Sequence, residues 1–363
     1  MDFGGVYEGK TVLVTGHTGF KGSWLCEWLL MLGAKVVGYS LEPETSPCHY
    51  EELGLEARLS ADLRGDVRSL ENVQGVLREH QPDYIFHLAA QSLVRRSFSE
   101  PYATTATNVM GTVNVLEALR LENRACVAIM ITTDKVYRNV EWLHAYREPD
   151  PLGGYDTYSA SKAAADIMIS SYQQSFFGSA DAPRMVAVSA RGGNVIGGGD
   201  WALDRIVPDA MRSLSAGERI PVRNRHATRP WQHVLELLNG YMTLAAALSD
   251  AEGERLSELS SAFNFGPYLS SNRPVENLVE EILKHWSGSW EDFTDPNAVH
   301  EAGKLNLSID RAYHLLGWQP RWGFEATLEQ TVSWDRQFYE EAQGHPDRVQ
   351  ALTKQQIEAY ASG

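Results

Sequence analysis

Cysteine is scarce in this 363-residue chain, and its three copies, Cys26, Cys48 and Cys126, are scattered, odd in number and without ligand-like spacing. Neither a disulfide framework nor a zinc site is indicated. Positive charge is also short. With 32 Lys+Arg against 47 Asp+Glu the net charge is −15, so no basic excess exists to displace counterions from nucleic-acid phosphates. No run of ~18 apolar residues occurs; even Trp24 to Leu32 contains Glu27 and reads as a buried helix, not a membrane span. The opening Met1-Asp2-Phe3-Gly4-Gly5 lacks the basic and apolar regions of a signal peptide, and the expected compartment is a reducing cytoplasm. Internal repeats and low-complexity tracts are absent as well.

What is present is an ordinary folding composition. Apolar residues make up 43% and charged residues 22%, which argues against extensive disorder. The length accommodates two domains and a large core. Short, nearly all-apolar runs at Thr11–Thr15, Lys35–Tyr39, Asp83–His87, Ala125–Ile131 and Met185–Ser189 read as strands. Helical spacing at Phe20–Leu32, Leu70–Glu79, Pro101–Leu121 and Asp156–Phe176 alternates with them. The pattern predicts an α/β fold, a doubly wound parallel sheet of the Rossmann type. After about Arg191 glycine loops and basic residues take over, so a smaller, interleaved C-terminal domain is expected. Residues 1–190 would form the first domain, with a return of 231–266 to it through a helix at Trp231–Leu248 and a strand at Ala262–Phe265. Residues 191–230 and 267–345 would form the second, leaving 346–363 as a polar, loosely held tail.

The run Gly16-His17-Thr18-Gly19-Phe20-Lys21-Gly22 follows a strand and opens a helix. Its glycines permit a tight turn and a close approach of backbone N–H groups to a pyrophosphate, which predicts dinucleotide binding by Gly16, Gly19, Phe20, Lys21 and Gly22. No acid stands at the end of the second strand, where one usually binds the adenosine ribose. Ser40 suits a 2′-hydroxyl or a phosphate, and no arginine follows to favour the phosphate. Asp66-Val67, after a third strand, is placed to cover the adenine edge or simply to start a helix. Asn108, mid-helix, reads equally as a water-holding residue or a satisfied polar core residue.

Tyr158 and Lys162 are spaced i, i+4 and share a helix face, where the ammonium lowers the phenol's pKa towards neutrality. Thr133 falls at the carboxyl end of a strand, the edge at which such sheets gather their active sites. These three suffice for alcohol oxidation. Asp134-Lys135 beside them adds an ionisable pair that oxidation does not need, and implies a second proton transfer such as loss of water.

Together with Gly38-Tyr-Ser-Leu-Glu-Pro43, Gly153-Gly-Tyr-Asp156, Gly192-Gly-Asn-Val-Ile-Gly-Gly-Gly-Asp-Trp201 and Arg229-Pro-Trp-Gln-His-Val234, these residues resemble the extended short-chain dehydrogenase/reductase family, and within it the 4,6-dehydratases of nucleotide sugars. The resemblance implies bound NAD, with Ala89 joining its contacts. It also implies a CDP-hexose substrate and a homodimer or homotetramer packed through Pro101–Leu121 and Asp156–Phe176. It further implies a cycle in which Tyr158 takes the 4-hydroxyl proton as hydride leaves C4, with Thr133 bonding the same oxygen and Lys162 holding the cofactor ribose. Water is then lost across C5 and C6, and hydride returns to C6. Asp134 would be the acid for the 6-hydroxyl. Related thymidine-nucleotide enzymes carry Asp-Glu at this pair, so Lys135 is either an unusually neutral C5 base or an electrostatic support for the enolate. Asn194, Arg205 and Arg229 are the expected diphosphate contacts, with Trp201 and His233 as further substrate contacts; His300-Glu301-Ala302 matches the family as a wall of the sugar pocket. Val136, Thr157 and Gly193 depart from the family's usual cysteine, proline and alanine, and Arg138 and His144 fall in the stretch facing the sugar. An epimerase, which would leave Asp134-Lys135 incidental, and a non-catalytic dinucleotide sensor stay open as alternatives.

Overall fold

The apolar runs become strands because both faces of their sheet are covered by helices, so that alternate residues need not be polar. The computed structural model describes residues 2–177, 183–293 and 305–363. In chain order its strands are Thr11–Thr15 (β1), Lys35–Ser40 (β2), Ala61–Arg64 (β3), Tyr84–His87 (β4), Cys126–Ile131 (β5), Met185–Gly192 (β6), Ile220–Val222 (β7), Thr228–Pro230 (β8), Phe263–Phe265 (β9), Asn272–Pro274 (β10) and Trp290–Asp292 (β11). Seven form one sheet in the order β3-β2-β1-β4-β5-β6-β9, every pairing parallel. The order reverses between β1 and β4, and ligands of such sheets bind in the crevice beyond the strand ends at that switch.

On one face, Trp24, Trp28, Phe86, Leu238 and Tyr241 belong to a core shared by the helices Phe20–Met31 and Val234–Asp250. On the other, Leu13, Ile85, Leu116, Met130 and Ile169 pack beneath Leu70–His80, Gly111–Glu122 and Thr157–Ser175. A separate cluster of Val207, Met211, Ile220, Leu278 and Leu328 lies beyond β6, beside the two-stranded sheets β10-β8 and β11-β7. Strand β9 brings the chain back to the main sheet at Ala190–Gly192. The helix expected over Pro101–Leu121 is interrupted by a π turn, Ala106–Met110, a feature frequent at functional sites.

The expected loose tail is instead a helix, Pro346–Ser362. Val349, Thr353, Ile357 and Tyr360 fall on one helical stripe and are buried, a pattern hidden by the segment's polar average. The Tyr360 hydroxyl donates to Glu236 Oε2 at 2.6 Å, and backbone N–H groups of Arg321 and Trp322 donate to Oε1. A buried carboxyl is thereby supplied with three donors. Thr353 Oγ1 lies 3.1 Å from His49 Nε2, so the helix seals the first helical layer.

Candidate active site

Strand β1 ends at Thr15 and turns through Gly16, at φ 77°, into the helix Phe20–Met31. A Cβ on Gly16 would lie 2.8 Å from the Ala89 backbone nitrogen, and one on Gly22 would lie 2.1 Å from Gly16 O. Turn, helix and β4 loop are therefore too close for side chains at either position. Gly19 caps the helix without a side-chain hydrogen bond, leaving the first-turn N–H groups to an anion. Lys21 rises from that turn close enough to feel Arg205, Asp134 and Lys135; desolvation, reinforced by the neighbouring cations, brings its ammonium down to about 8. A glycine cradle beside desolvated cations fits the pyrophosphate of a dinucleotide.

At the adenosine end, Ser40 Oγ is 2.8 Å from Thr18 Oγ1. On β3, Asp62, register partner of Gly38, binds His17 Nε2 at 2.6 Å, Tyr50 Oη at 2.5 Å and Arg64 Nη1 at 2.6 Å, so its carboxyl is taken by protein partners. An arginine also stands beside Ser40 after all, since Arg64 is its register partner, but its guanidinium is taken by Asp62 and by Glu42 at 2.9 Å. Asp66 is engaged by Arg68, which holds its carboxyl below the usual range, and Val67 is buried against Gly111.

The catalytic candidates converge at the end of β5. Thr133 caps a single 3-10 turn, Asp134–Val136, and donates its hydroxyl to Asp134 Oδ1 at 2.9 Å. Lys135 Nζ donates to the same oxygen at 3.2 Å and to Asn194 Oδ1 at 3.1 Å. Asp134 is buried, whereas Lys135 is part-exposed. The helix Thr157–Ser175 is started by Asp156, whose carboxylate accepts from Ser159 N at 2.9 Å, and it brings Tyr158 and Lys162 to the same strand end. Burial raises the Tyr158 phenol, and the largest charge acting against that rise is Lys135, with the Thr133 hydroxyl acting in the same direction. This corrects the sequence expectation that Lys162 does the lowering. Lys162 donates to Ile131 O at 2.8 Å and is itself pushed down to about 7 by desolvation and by Lys21.

Behind these side chains lies a polar frame. Asn108, within the π turn, accepts from Gln91 N at 2.8 Å and donates to Gln91 O and Ser161 Oγ, so it is a satisfied buried amide tying the β4 loop to the catalytic helix. Arg191, at the end of β6, is buried against Asp166 of that helix. Although the glycine loop begins directly after it, its side chain faces inward.

Two expected substrate contacts are not in the cleft. Trp201 is buried against Trp334 and Phe338 and donates Nε1–H to Tyr339 Oη at 3.0 Å. His233 is fully buried between Trp24 and Trp322 and caps the helix Val234–Asp250 through Leu235 N. Both side chains serve the core. Asn194 and Arg205 do face the site, the latter paired with Asp200 at 3.0 Å and felt by Lys21 and Tyr158. Arg229 lies on β8 and donates to Thr228 O at 2.9 Å. Val136 is buried with Tyr137, Tyr146 and Ala163, and His144 packs near Trp142. His300-Glu301-Ala302 lies outside the described residues. Among the described residues no group of three or more His, Cys, Asp or Glu is placed to hold a metal ion.

Residues 13–331 match the family model described as GDP-mannose 4,6 dehydratase. A CDP-glucose 4,6-dehydratase of Salmonella typhimurium is 43% identical over 333 residues, 91% of each chain. Among solved structures, the dTDP-glucose 4,6-dehydratase of Bacillus anthracis in complex with NAD superposes with a TM-score of 0.73 at 21% identity, covering 92% of this chain and 98% of the other. The UDP-glucose 4-epimerase of Thermus thermophilus in complex with NAD does so with a TM-score of 0.75 at 24% identity, covering 90% and 99%. The two structures share the fold, while the family match and the Salmonella relative extend over most of the sequence. Sheet order, glycine cradle and the cluster at the end of β5 thus agree with lineage: the chain belongs to the GDP-mannose 4,6-dehydratase family of extended short-chain dehydrogenases/reductases.

Proposed function

We propose that this protein is a CDP-glucose 4,6-dehydratase, forming CDP-4-keto-6-deoxy-D-glucose with no net redox change. The observation that carries this reading is Asp134, a buried carboxyl held by the Thr133 hydroxyl and the Lys135 ammonium beside Tyr158. Oxidation alone needs no such group. The 43% identity to the Salmonella enzyme supports the cytidine nucleotide.

Gly16, Gly19, Phe20, Lys21, Gly22, Ser40 and Ala89 would hold NAD, which when bound supplies the acceptor and later the donor of the substrate's hydride. Tyr158 accepts the 4-hydroxyl proton, assisted by the Thr133 hydroxyl on the same oxygen. The resulting 4-ketone acidifies the C5 proton, which the Lys135 amine accepts. Asp134 protonates the departing 6-hydroxyl in surroundings from which water is excluded. Lys135, paired with Asp134 and Asn194, stabilises the enolate as a cation, and Lys162 positions the ribose. Arg205, Asn194 and Arg229 bind the diphosphate, for which planar guanidinium forks are suited. The exposed Tyr102, Met110, Ile167 and Phe176, on adjacent helices, form the face of a homodimer.

The test is incubation of the purified protein with CDP-glucose, with and without NAD, and product mass. Loss of one water is expected. An unchanged mass with a new stereocentre would make the protein an epimerase, and no turnover of CDP-, UDP-, dTDP- or GDP-hexoses would remove the enzymatic reading.

A further inference from the structure

Gln232 is fully buried, yet neither its side-chain oxygen nor its nitrogen has a hydrogen-bond partner. An amide in that condition is costly to fold around unless a ligand completes it. Gly193 fixes where the amide points. A Cβ at position 193 would meet Asp134 Oδ2 at 3.2 Å and Gln232 Nε2 at 3.7 Å, so the carboxyl and the amide flank one side of the same glycine. Asp134 Oδ1 is engaged by Thr133 and Lys135, whereas Oδ2 faces this gap. The cleft lined by Asp134, Gly193, Pro230, Gly266 and Asn306 opens beside it, and Asn306 Oδ1 is likewise out of water and unpartnered. Unmet hydrogen-bonding groups on the cleft wall, at Asn306, and just behind Gly193, at Gln232, suit a polyol.

We infer that Gln232 contacts the substrate at its 6-hydroxyl, sharing with Asp134 the oxygen that leaves. The inference rests on the dehydratase reading. With the Lys135–Asp134 pair in its amine–carboxylic acid form, the Lys135 amine takes the C5 proton, the C5–H pair becomes the C5–C6 π bond and the C6–O bond breaks with its electrons on oxygen. That oxygen takes the Asp134 proton and departs as water. Gln232 Nε2–H donates to it while negative charge builds, and Oε1 accepts from the water formed. A donor aimed at charge that develops only in the transition state accelerates the step without tightening ground-state binding equally.

Gln232→Met keeps the volume and removes both hydrogen bonds. With NAD-loaded protein and CDP-glucose, dehydration is expected to fall at least tenfold in kcat. C4 oxidation, read as near-ultraviolet absorbance of the reduced nicotinamide, should stay rapid, so that absorbance accumulates. Towards CDP-6-deoxyglucose, which lacks the leaving oxygen, variant and parent should oxidise C4 alike. Gln232→Glu should recover dehydration as pH falls and its carboxyl regains a proton. Dehydration at the parental rate in Gln232→Met, or equal slowing of C4 oxidation with both sugars, overturns the inference. If the parent protein itself fails to dehydrate CDP-glucose, the dehydratase reading has failed first, and the inference falls with it.

Discussion

Arg191 and Asp166 meet in a two-pronged ion pair, Nη2 2.6 Å from Oδ1 and Nε 2.9 Å from Oδ2, with side chains only 4% and 2% exposed. The same guanidinium donates to Tyr137 Oη and Glu148 O, and Asp166 also receives the Thr132 hydroxyl. Strand β6, the helix of Tyr158 and Lys162, and the loop after Lys135 are thereby fixed to one another. Removing one partner leaves a buried charge without compensation, so Arg191→Met is expected to lower unfolding free energy by about 3–5 kcal/mol. Urea denaturation measures this. A loss under about 1 kcal/mol, the level of an exposed pair, would contradict the role given to it.

Asp134→Asn retains the shape of the side chain and removes its acid function. C4 oxidation should continue while elimination stops, seen as a persistent reduced-nicotinamide signal in stopped flow and no loss of water from the sugar. Normal dehydration would take the acid role from Asp134.

Lys162 and Lys21 sit at about 7 and about 8, lowered chiefly by desolvation. Both lie below the ordinary lysine value of ~10.4, so in the window above them the unfolded chain binds more protons than the folded one. Their contribution to stability therefore rises with pH from about 7 towards ~10 in the ligand-free protein. A bound dinucleotide, its pyrophosphate beside Lys21 and its ribose on Lys162, favours the charged forms, and binding near pH 8 should take up protons. Calorimetry in buffers of different ionisation enthalpy checks the sign, and proton release would refute it.

Tyr360→Phe removes one of the donors to the buried Glu236 and leaves the ring. A loss of about 1.5–3 kcal/mol is expected for a hydrogen bond to a charged group, with a matching fall in Tm. A tail without structural work would give no change.

Ile167→Glu places charge on the exposed apolar face formed with Tyr102, Met110 and Phe176. Sedimentation should shift from dimer to monomer, whereas a monomeric parent protein would dispose of that face as an interface.

Much of this was legible in the chain because it depends on neighbours in sequence. The strand runs and the i, i+4 pairing of Tyr158 with Lys162 are periodicities, and the glycine turn is a local close approach. What escaped was set by partners far away. Nothing near Trp201 or His233 announces that Trp334, Phe338 and Trp322 will cover them. Asp62 and Arg64 come beside Gly38 and Ser40 only through sheet register. Lys135 acts on the phenol because the turn after Thr133 sets its ammonium between Asp134 and Asn194, a geometry that spacing along a helix does not report.

The helix Pro346–Ser362 has a consequence for biosynthesis. Thr353 closes on His49 across 304 residues, and Tyr360 packs at 5.8 Å from the ring of Trp28. The tryptophan-rich side of the first helix is therefore translated some 300 residues before its cover. Nascent chains fold in the order they emerge. Until that cover emerges, the flank of Trp24 and Trp28 stays open, a foothold for a chaperone and a point of risk for premature association.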